Sequence, residues 1–174
     1  MNRVLLNKAK PIKLVVLDVD GVMTNGSLIY TGRGEQSKQF FVRDGLGIKL
    51  LVKTGVRLAI ITGRSSPALK KRLNDLGVDH QYFGIEDKLK IFKILLKKLK
   101  LDPSEVCCVG DDLPDLAILK LSGFSASPPD APPYIKDQVT YVTKASAGFG
   151  AVREIAEIII QAQGNWTKTL ESFS

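Results

Sequence analysis

Leu14-Val15-Val16-Leu17-Asp18-Val19-Asp20-Gly21-Val22-Met23-Thr24 carries an unbroken apolar run into two aspartates and a glycine turn. A run without polar alternation predicts a strand buried on both faces, as a central parallel strand is. The C-terminal ends of such strands are where open α/β sheets place their ligands. If Val19 continues the extended chain, Asp18 and Asp20 point the same way, because side chains alternate along a strand. Two carboxylates aimed together out of a hydrophobic strand repel each other and need a cation or a shared proton. Asp-Gly is also a common turn pair, so this stretch alone leaves a plain strand exit open.

Moving outward, the pattern alternates between strand and helix. Ser27–Tyr30 and Gln36–Val42 flank Thr31-Gly32-Arg33-Gly34 as a hairpin. A helix running to Lys53 follows, although Gly45 and Gly47 weaken it. Val56–Ile61 is a second core strand that ends in Thr62-Gly63-Arg64. Ser66-Pro67 then starts a helix that runs to about Leu76. A short strand near His80–Phe83 precedes an amphipathic helix from about Asp87 to Lys100, with Leu89, Phe92, Leu95, Leu96 and Leu99 as its apolar stripe. Val106–Val109 leads into Gly110-Asp111-Asp112-Leu113-Pro114-Asp115 and a helix to about Leu121. Strands at Phe124–Ser127 and Val139–Val142 and a helix over 150–162 complete the series. The expected fold is α/β: a three-layer Rossmann-like arrangement with a mainly parallel sheet and a β-hairpin inserted after the first strand. One domain over 1–174 accommodates it, with the insertion at 24–43 and a tail at 164–174 in which only Trp166, Leu170 and Phe173 have much to bury.

Composition narrows the function. The hydrophobic content of 44% and charged content of 25% are those of an ordinary globular chain. No run is long enough for a membrane span, and the N-terminal apolar patch is too short for a signal peptide, so a cytoplasmic protein is expected. The net charge of +7 is concentrated in 88–100 at the spacing of a solvated helix face, without interleaved aromatics. No nucleic-acid partner is therefore expected, whereas a small anionic substrate suits the positive field. Cys107 and Cys108 sit inside an apolar strand and fit a reducing compartment. His80 is the single histidine, which disfavours a His-rich metal site and a Ser-His-Asp triad.

Four strand ends thus deliver polar groups to one sheet edge: Asp18 and Asp20; Thr62, Gly63 and Arg64; Lys88; and Asp111, Asp112 and Asp115. This inventory suits phosphoryl transfer. A carboxylate can attack phosphorus, and a second carboxyl can protonate the leaving alcohol. Magnesium accepts carboxylate and phosphate oxygens, while Thr62, backbone amides and Lys88 can hold the remaining phosphate oxygens. Taken singly, Lys88 reads as one more surface lysine, while a plain strand-to-helix turn at Thr62-Gly63 and a plain helix N-terminus at Asp111-Asp112 stay open as the lesser alternatives. Other phosphate chemistries fail on spacing. Ser27 stands where a P-loop needs lysine, no arginine lies six residues after either cysteine, and no dinucleotide glycine fingerprint completes around Gly32 and Gly34.

Asp18-Val19-Asp20-Gly21-Val22-Met23-Thr24, Thr62-Gly63-Arg64, Lys88 and Gly110-Asp111-Asp112 with Asp115 resemble the four motifs of the haloacid dehalogenase superfamily, in its capless subfamily. Phe41-Val42-Arg43-Asp44-Gly45, Ile60-Ile61-Thr62-Gly63-Arg64-Ser65, 109–116 and Gly150-Ala151-Val152-Arg153-Glu154 are similar to strings of the phosphatases of 3-deoxy-D-manno-octulosonate (KDO) 8-phosphate. The resemblance implies Asp18 as nucleophile and Asp20 as acid/base. It implies magnesium held by the side chains of Asp18 and Asp111 and the main-chain carbonyl of Asp20. Thr62, Gly63 and Lys88 would bind phosphate, and Arg64 and Arg72 would face an anionic sugar phosphate. It also implies the absence of a cap domain and a homotetramer built around the hairpin. The segments 130–133 and 147–150 depart from the family pattern near the sugar. A sialic acid or KDN 9-phosphate therefore stays open as substrate, as does a non-catalytic module associated with a sugar-nucleotide synthetase.

Overall fold

The computed structural model describes residues 3–32 and 36–174; Arg33 and Gly34 of the expected hairpin turn lie outside them. The opening apolar run forms β1 (Leu14–Leu17), every residue of which is buried. It pairs in parallel with β4 (Arg57–Ile61) on one side and β6 (Val106–Val109) on the other. With β5 (His80–Tyr82), β7 (Phe124–Ser127) and β8 (Tyr141–Val142), the sheet runs β5-β4-β1-β6-β7-β8 with all pairs parallel.

The two-residue period of these strands divides the core. Val15, Leu17, Leu58, Ile60, Cys107 and Val109 face one layer of helices, while Leu14, Val16, Ala59, Ile61, Val106 and Cys108 face the other. The first layer comprises α1 (Arg3–Ala9), α2 (Val42–Lys53), α3 (Pro67–Asp75) and α7 (Ala151–Ala162). The second comprises α4 (Lys88–Leu99), α5 (Leu116–Leu121) and α6 (Pro133–Lys136). Right-handed crossovers put helices on both faces of a parallel sheet, so the uninterrupted apolar strands follow from the topology. No cap domain is present among the described residues.

Three local expectations need correction. The hairpin is only β2 (Ile29–Tyr30) against β3 (Gln36–Ser37), because the chain leaves the ladder before Val42 and enters α2 there. The glycines that weakened α2 instead allow it to pack. A Cβ on Gly45 would lie 2.2 Å from Arg72 Nη2, and one on Gly47 would lie 3.0 Å from Arg153 Cα. The tail coils into α8 (Trp166–Glu171), where Trp166 packs on the core while Leu170 and Phe173 stay exposed. The N-terminal helix α1, whose Leu5 and Ala9 are buried, had no clear sequence signal because seven residues show barely two turns of periodicity.

Candidate active site

Beyond β1 the backbone does not stay extended. The amides of Val22, Met23 and Thr24 all donate to the Val19 carbonyl at 2.9–3.2 Å, folding the chain into a turn immediately after Asp18. Asp18 still donates its own N–H to Val109 O at 3.0 Å and so continues the ladder with β6. Asp18 and Asp20 reach the same cleft, but through this turn and not through strand alternation. The cleft has a volume of about 420 Å³, and its lining includes Asp18, Asp20, Thr62, Gly63, Arg64, Lys88, Asp111 and Asp115. Four strand ends therefore meet at the carboxyl edge of the sheet.

Lys88 is not on the solvated face of α4. It is the first residue of that helix, its side chain is 4% exposed, and its ammonium bridges Asp18 Oδ1 and Asp115 Oδ1, each at 2.7 Å. Burial works against its charge, but the charges of Asp18 and Asp115 and their hydrogen bonds prevail and raise its pKa. Asp115 also accepts the Asp111 N–H at 3.3 Å on its other oxygen, so both of its carboxylate oxygens are engaged. Asp112 serves the local turn, accepting from Leu113 N at 2.8 Å and from the Tyr134 hydroxyl at 3.0 Å. Thr62 is buried, and its hydroxyl accepts the Arg64 N–H at 3.4 Å.

The charge balance of this cluster favours a divalent cation. Carboxylate oxygens of Asp18, Asp111 and Asp115 lie within 4.8 Å of one another, and Lys88 offsets only one of the three charges. Burial first, and then the charge of Asp115, push Asp18 up to about 6 despite Lys88. Burial first, and then Asp18, Asp115 and Asp112, push Asp111 up to about 7. A hard cation with oxygen ligands relieves this strain. Both oxygens of Asp115 are engaged, whereas no hydrogen bond reaches the Asp111 carboxylate among the described residues, so Asp111, with Asp18 beside it, could hold such a cation. Gly21 permits the arrangement. Its φ is +87°, and a Cβ there would fall 2.0 Å from Asp111 Oδ2.

Arg64 stands at the rim, half-exposed, with Nε 3.8 Å from Asp20 Oδ2. Arg72 is not brought to the cleft. Its guanidinium lies over the Phe40 ring at 5.9 Å, beneath α2. A residue that the sequence reading missed is Lys38, which follows β3 and ion-pairs with Asp20 Oδ1. Nothing in its local sequence marks it, since only the hairpin brings it back across eighteen residues.

A family model described as haloacid dehalogenase-like hydrolase matches residues 40–123. The chain is 43% identical over 159 residues to the 3-deoxy-D-manno-octulosonate 8-phosphate phosphatase KdsC of Yersinia pestis, covering 91% of this chain and 84% of that one. It is 44% identical over 158 residues to KdsC of Escherichia coli K12, covering 90% and 84%. The crystal structure of the Moraxella catarrhalis phosphatase, in complex with magnesium ion, phosphate ion and KDO, superposes with a TM-score of 0.97 at 40% identity over the whole of both chains. A cobalt-bound Haemophilus influenzae phosphatase superposes at 0.87 with 41% identity over 90% and 92%. Motifs, topology and these likenesses agree, and the chain belongs to the 3-deoxy-D-manno-octulosonate 8-phosphate phosphatase family of haloacid dehalogenase-like hydrolases.

Proposed function

We propose that the protein hydrolyses 3-deoxy-D-manno-octulosonate 8-phosphate to KDO and phosphate, a step toward lipopolysaccharide, with Asp18 as nucleophile and Asp20 as acid and base. The observation that carries this reading is the pairing of two carboxylates in one cleft. Asp18 is hydrogen-bonded to Lys88, while Asp20 lies alongside with one oxygen that has no hydrogen bond among the described residues and stands 3.8 Å from Arg64 Nε. In the first step an Asp18 oxygen forms a bond to phosphorus, the phosphorus–oxygen bond to the sugar breaks, and Asp20 gives its proton to the departing alkoxide. In the second step Asp20 takes a proton from water, whose oxygen bonds to phosphorus. The bond to Asp18 breaks and inorganic phosphate leaves. Lys88, Thr62 and the amides around Gly63 hold the phosphate oxygens. Asp18, Asp111 and the Asp20 carbonyl would hold magnesium, which would supply positive charge against the phosphate oxygens.

The sugar end of the site is assigned to the loops above the Asp20 turn, with Arg64 at the rim. Gly148 N donates to Val22 O at 3.0 Å and Ala147 N to Asp130 Oδ2 at 2.9 Å. The two segments that depart from the family pattern thus hold each other over that turn. Arg72, being under α2, has no such route within one chain. The hairpin exposes Leu28, Ile29 and Tyr30, which supports a homotetramer assembled through it, and the buried free thiols of Cys107 and Cys108 agree with a cytoplasmic location.

The test is phosphate release from KDO 8-phosphate and from a sialic acid 9-phosphate, each with magnesium and with excess chelator. We expect preference for the KDO ester, loss of activity in chelator, and no turnover by Asp18→Asn despite an unchanged fold. A clear preference for the sialic ester would reassign the substrate, and undiminished turnover by Asp18→Asn would overturn the mechanism.

A further inference from the structure

We propose that Lys38 is the positioning residue for Asp20, and that the two oxygens of Asp20 divide their work: Oδ1 is clamped and Oδ2 carries the proton. This rests on the phosphatase reading above and adds a residue to it.

Three observations converge. The Lys38 ammonium ion-pairs with Asp20 Oδ1, and the Lys38 side chain is only 1% exposed. A buried ammonium is tolerated when its charge is matched, so this lysine is committed to Asp20. The Thr24 hydroxyl sits 3.5 Å from the same oxygen and 3.3 Å from Val19 O, closing the turn beneath it. Asp20 Oδ2, by contrast, is buried with no hydrogen-bond partner among the described residues, and Arg64 Nε is 3.8 Å away. An unpaired buried carboxylate oxygen is costly and calls for a reason. Keeping one oxygen free to meet the leaving group is such a reason, because a leaving-group acid must lie within hydrogen-bond reach of the atom it protonates.

The alternative is that Lys38 binds the substrate's own anionic group. Its burial and its absence from the cleft lining argue against this. Lys38 acts through Asp20, and because it follows β3 it also ties the seating of the hairpin to the acid/base group.

The experiment compares kcat/KM for a sugar phosphate, an unactivated alkyl ester, with that for p-nitrophenyl phosphate, whose phenolate departs without a proton. kcat/KM reports the transition state reached from free enzyme and substrate, before any slow breakdown of the phosphorylated enzyme. General-acid catalysis is worth about 10²–10⁴-fold, so Lys38→Ala and Lys38→Met should lose about 10–100-fold on the alkyl ester and under about threefold on the aryl ester. Lys38→Met retains the apolar stem and guards against a packing artefact. Lys38→Arg, which keeps the cation, should recover a large part of the loss, and Asp20→Asn should show the same leaving-group discrimination. Equal losses on the two esters would make Lys38 a merely structural residue and overturn the proposal. So would a raised KM with unchanged kcat on the sugar phosphate, which would make it a substrate ligand. Failure of the unaltered protein to release phosphate from either ester in magnesium is a separate result. It would overturn the phosphatase reading together with this one.

Discussion

Asp111→Asn should make the metal-free protein more stable while removing its function. Asp111 is held at about 7 instead of 3.8, and no hydrogen bond reaches its carboxylate among the described residues. Because the folded-state pKa is raised, its contribution to stability is fully present below about 3.8 and is lost as pH rises through about 7. Above that, keeping Asp111 ionised in the fold costs about 4 kcal/mol from a shift of about three pKa units at ~1.4 kcal/mol each. The group is partly open to solvent, and halving the figure for screening leaves about 2 kcal/mol. For a chain of this size that corresponds to about 4–8 °C in Tm. Thermal melts in chelator at pH 8 should therefore show Asp111→Asn melting about 4–8 °C above the unaltered protein. At pH 5 only the interval from 3.8 to 5 remains, so the gain should fall to roughly a third. Adding magnesium should reverse the order at pH 8, since a ligand at 100 times its Kd adds about 2.7 kcal/mol to a protein that binds it. Two outcomes would refute the reasoning: a less stable variant in chelator at pH 8, or a gain that does not change with pH.

Gly21→Ala places a methyl group 2.0 Å from Asp111 Oδ2 in a backbone conformation of φ +87°. Calorimetric titration should show magnesium affinity reduced by at least about tenfold, since displacing a ligand costs more than the ~1.4 kcal/mol that a factor of ten represents; unchanged affinity would exclude Asp111 as a ligand. Asp44 is buried, and its carboxylate accepts the amides of Gly150 at 3.2 Å and Arg153 at 2.8 Å, capping α7 from α2. Asp44→Ala should cost about 1–2 kcal/mol, as loss of a helix cap does, and lower Tm by about 2–8 °C; an unaltered melting curve would show that the cap contributes nothing.

The centre of the sheet was legible because β1, β4 and β6 are short apolar runs with both faces covered, and they lead into Asp18, Thr62-Gly63 and Gly110-Asp111. β1, β4 and β6 lie where those runs lie, and Asp18, Thr62 and Asp111 stand at their ends as expected. What stayed hidden was tertiary. The glycines of α2 count against a helix in isolation, yet Gly47 allows α7 to come close and Gly45 leaves room for Arg72. Lys38 gives no local signal, because its meaning depends on how a hairpin folds back. Arg72 lies beneath α2, over the Phe40 ring and outside the cleft lining of one chain, a placement that follows from how α3 packs and not from its local sequence. The paired aspartates share one cleft, but the condition of an extended Val19 is not met, because its carbonyl gathers three amides and turns the chain.

Lys88 shows how a local reading and a global one can conflict. A cation at the first residue of a helix stands at the positive end of the dipole, an unfavourable place for it. Asp87 partly offsets this by capping Lys90 N at 2.9 Å, but that cap does not account for a lysine buried to 4% exposure. Two carboxylates from different strand ends do, at 2.7 Å each. The helix N-terminus and the ammonium then add positive potential beside Asp18 and Asp115, while burial and the neighbouring carboxylates leave the charge of Asp111 unrelieved. A substrate that brings phosphate oxygens to the lysine, with a divalent cation at Asp111, satisfies both together. Phosphate without the cation would meet the crowded carboxylates of Asp18 and Asp111, which Lys88, already shared between Asp18 and Asp115, offsets by only one charge. The surroundings of Asp18 and Asp20 differ in a way that suits the roles proposed for them. Asp18 accepts from Lys88 and faces Asp111, whereas Asp20 is ion-paired to Lys38 through Oδ1 and has Oδ2 without a hydrogen bond among the described residues, 3.8 Å from Arg64 Nε.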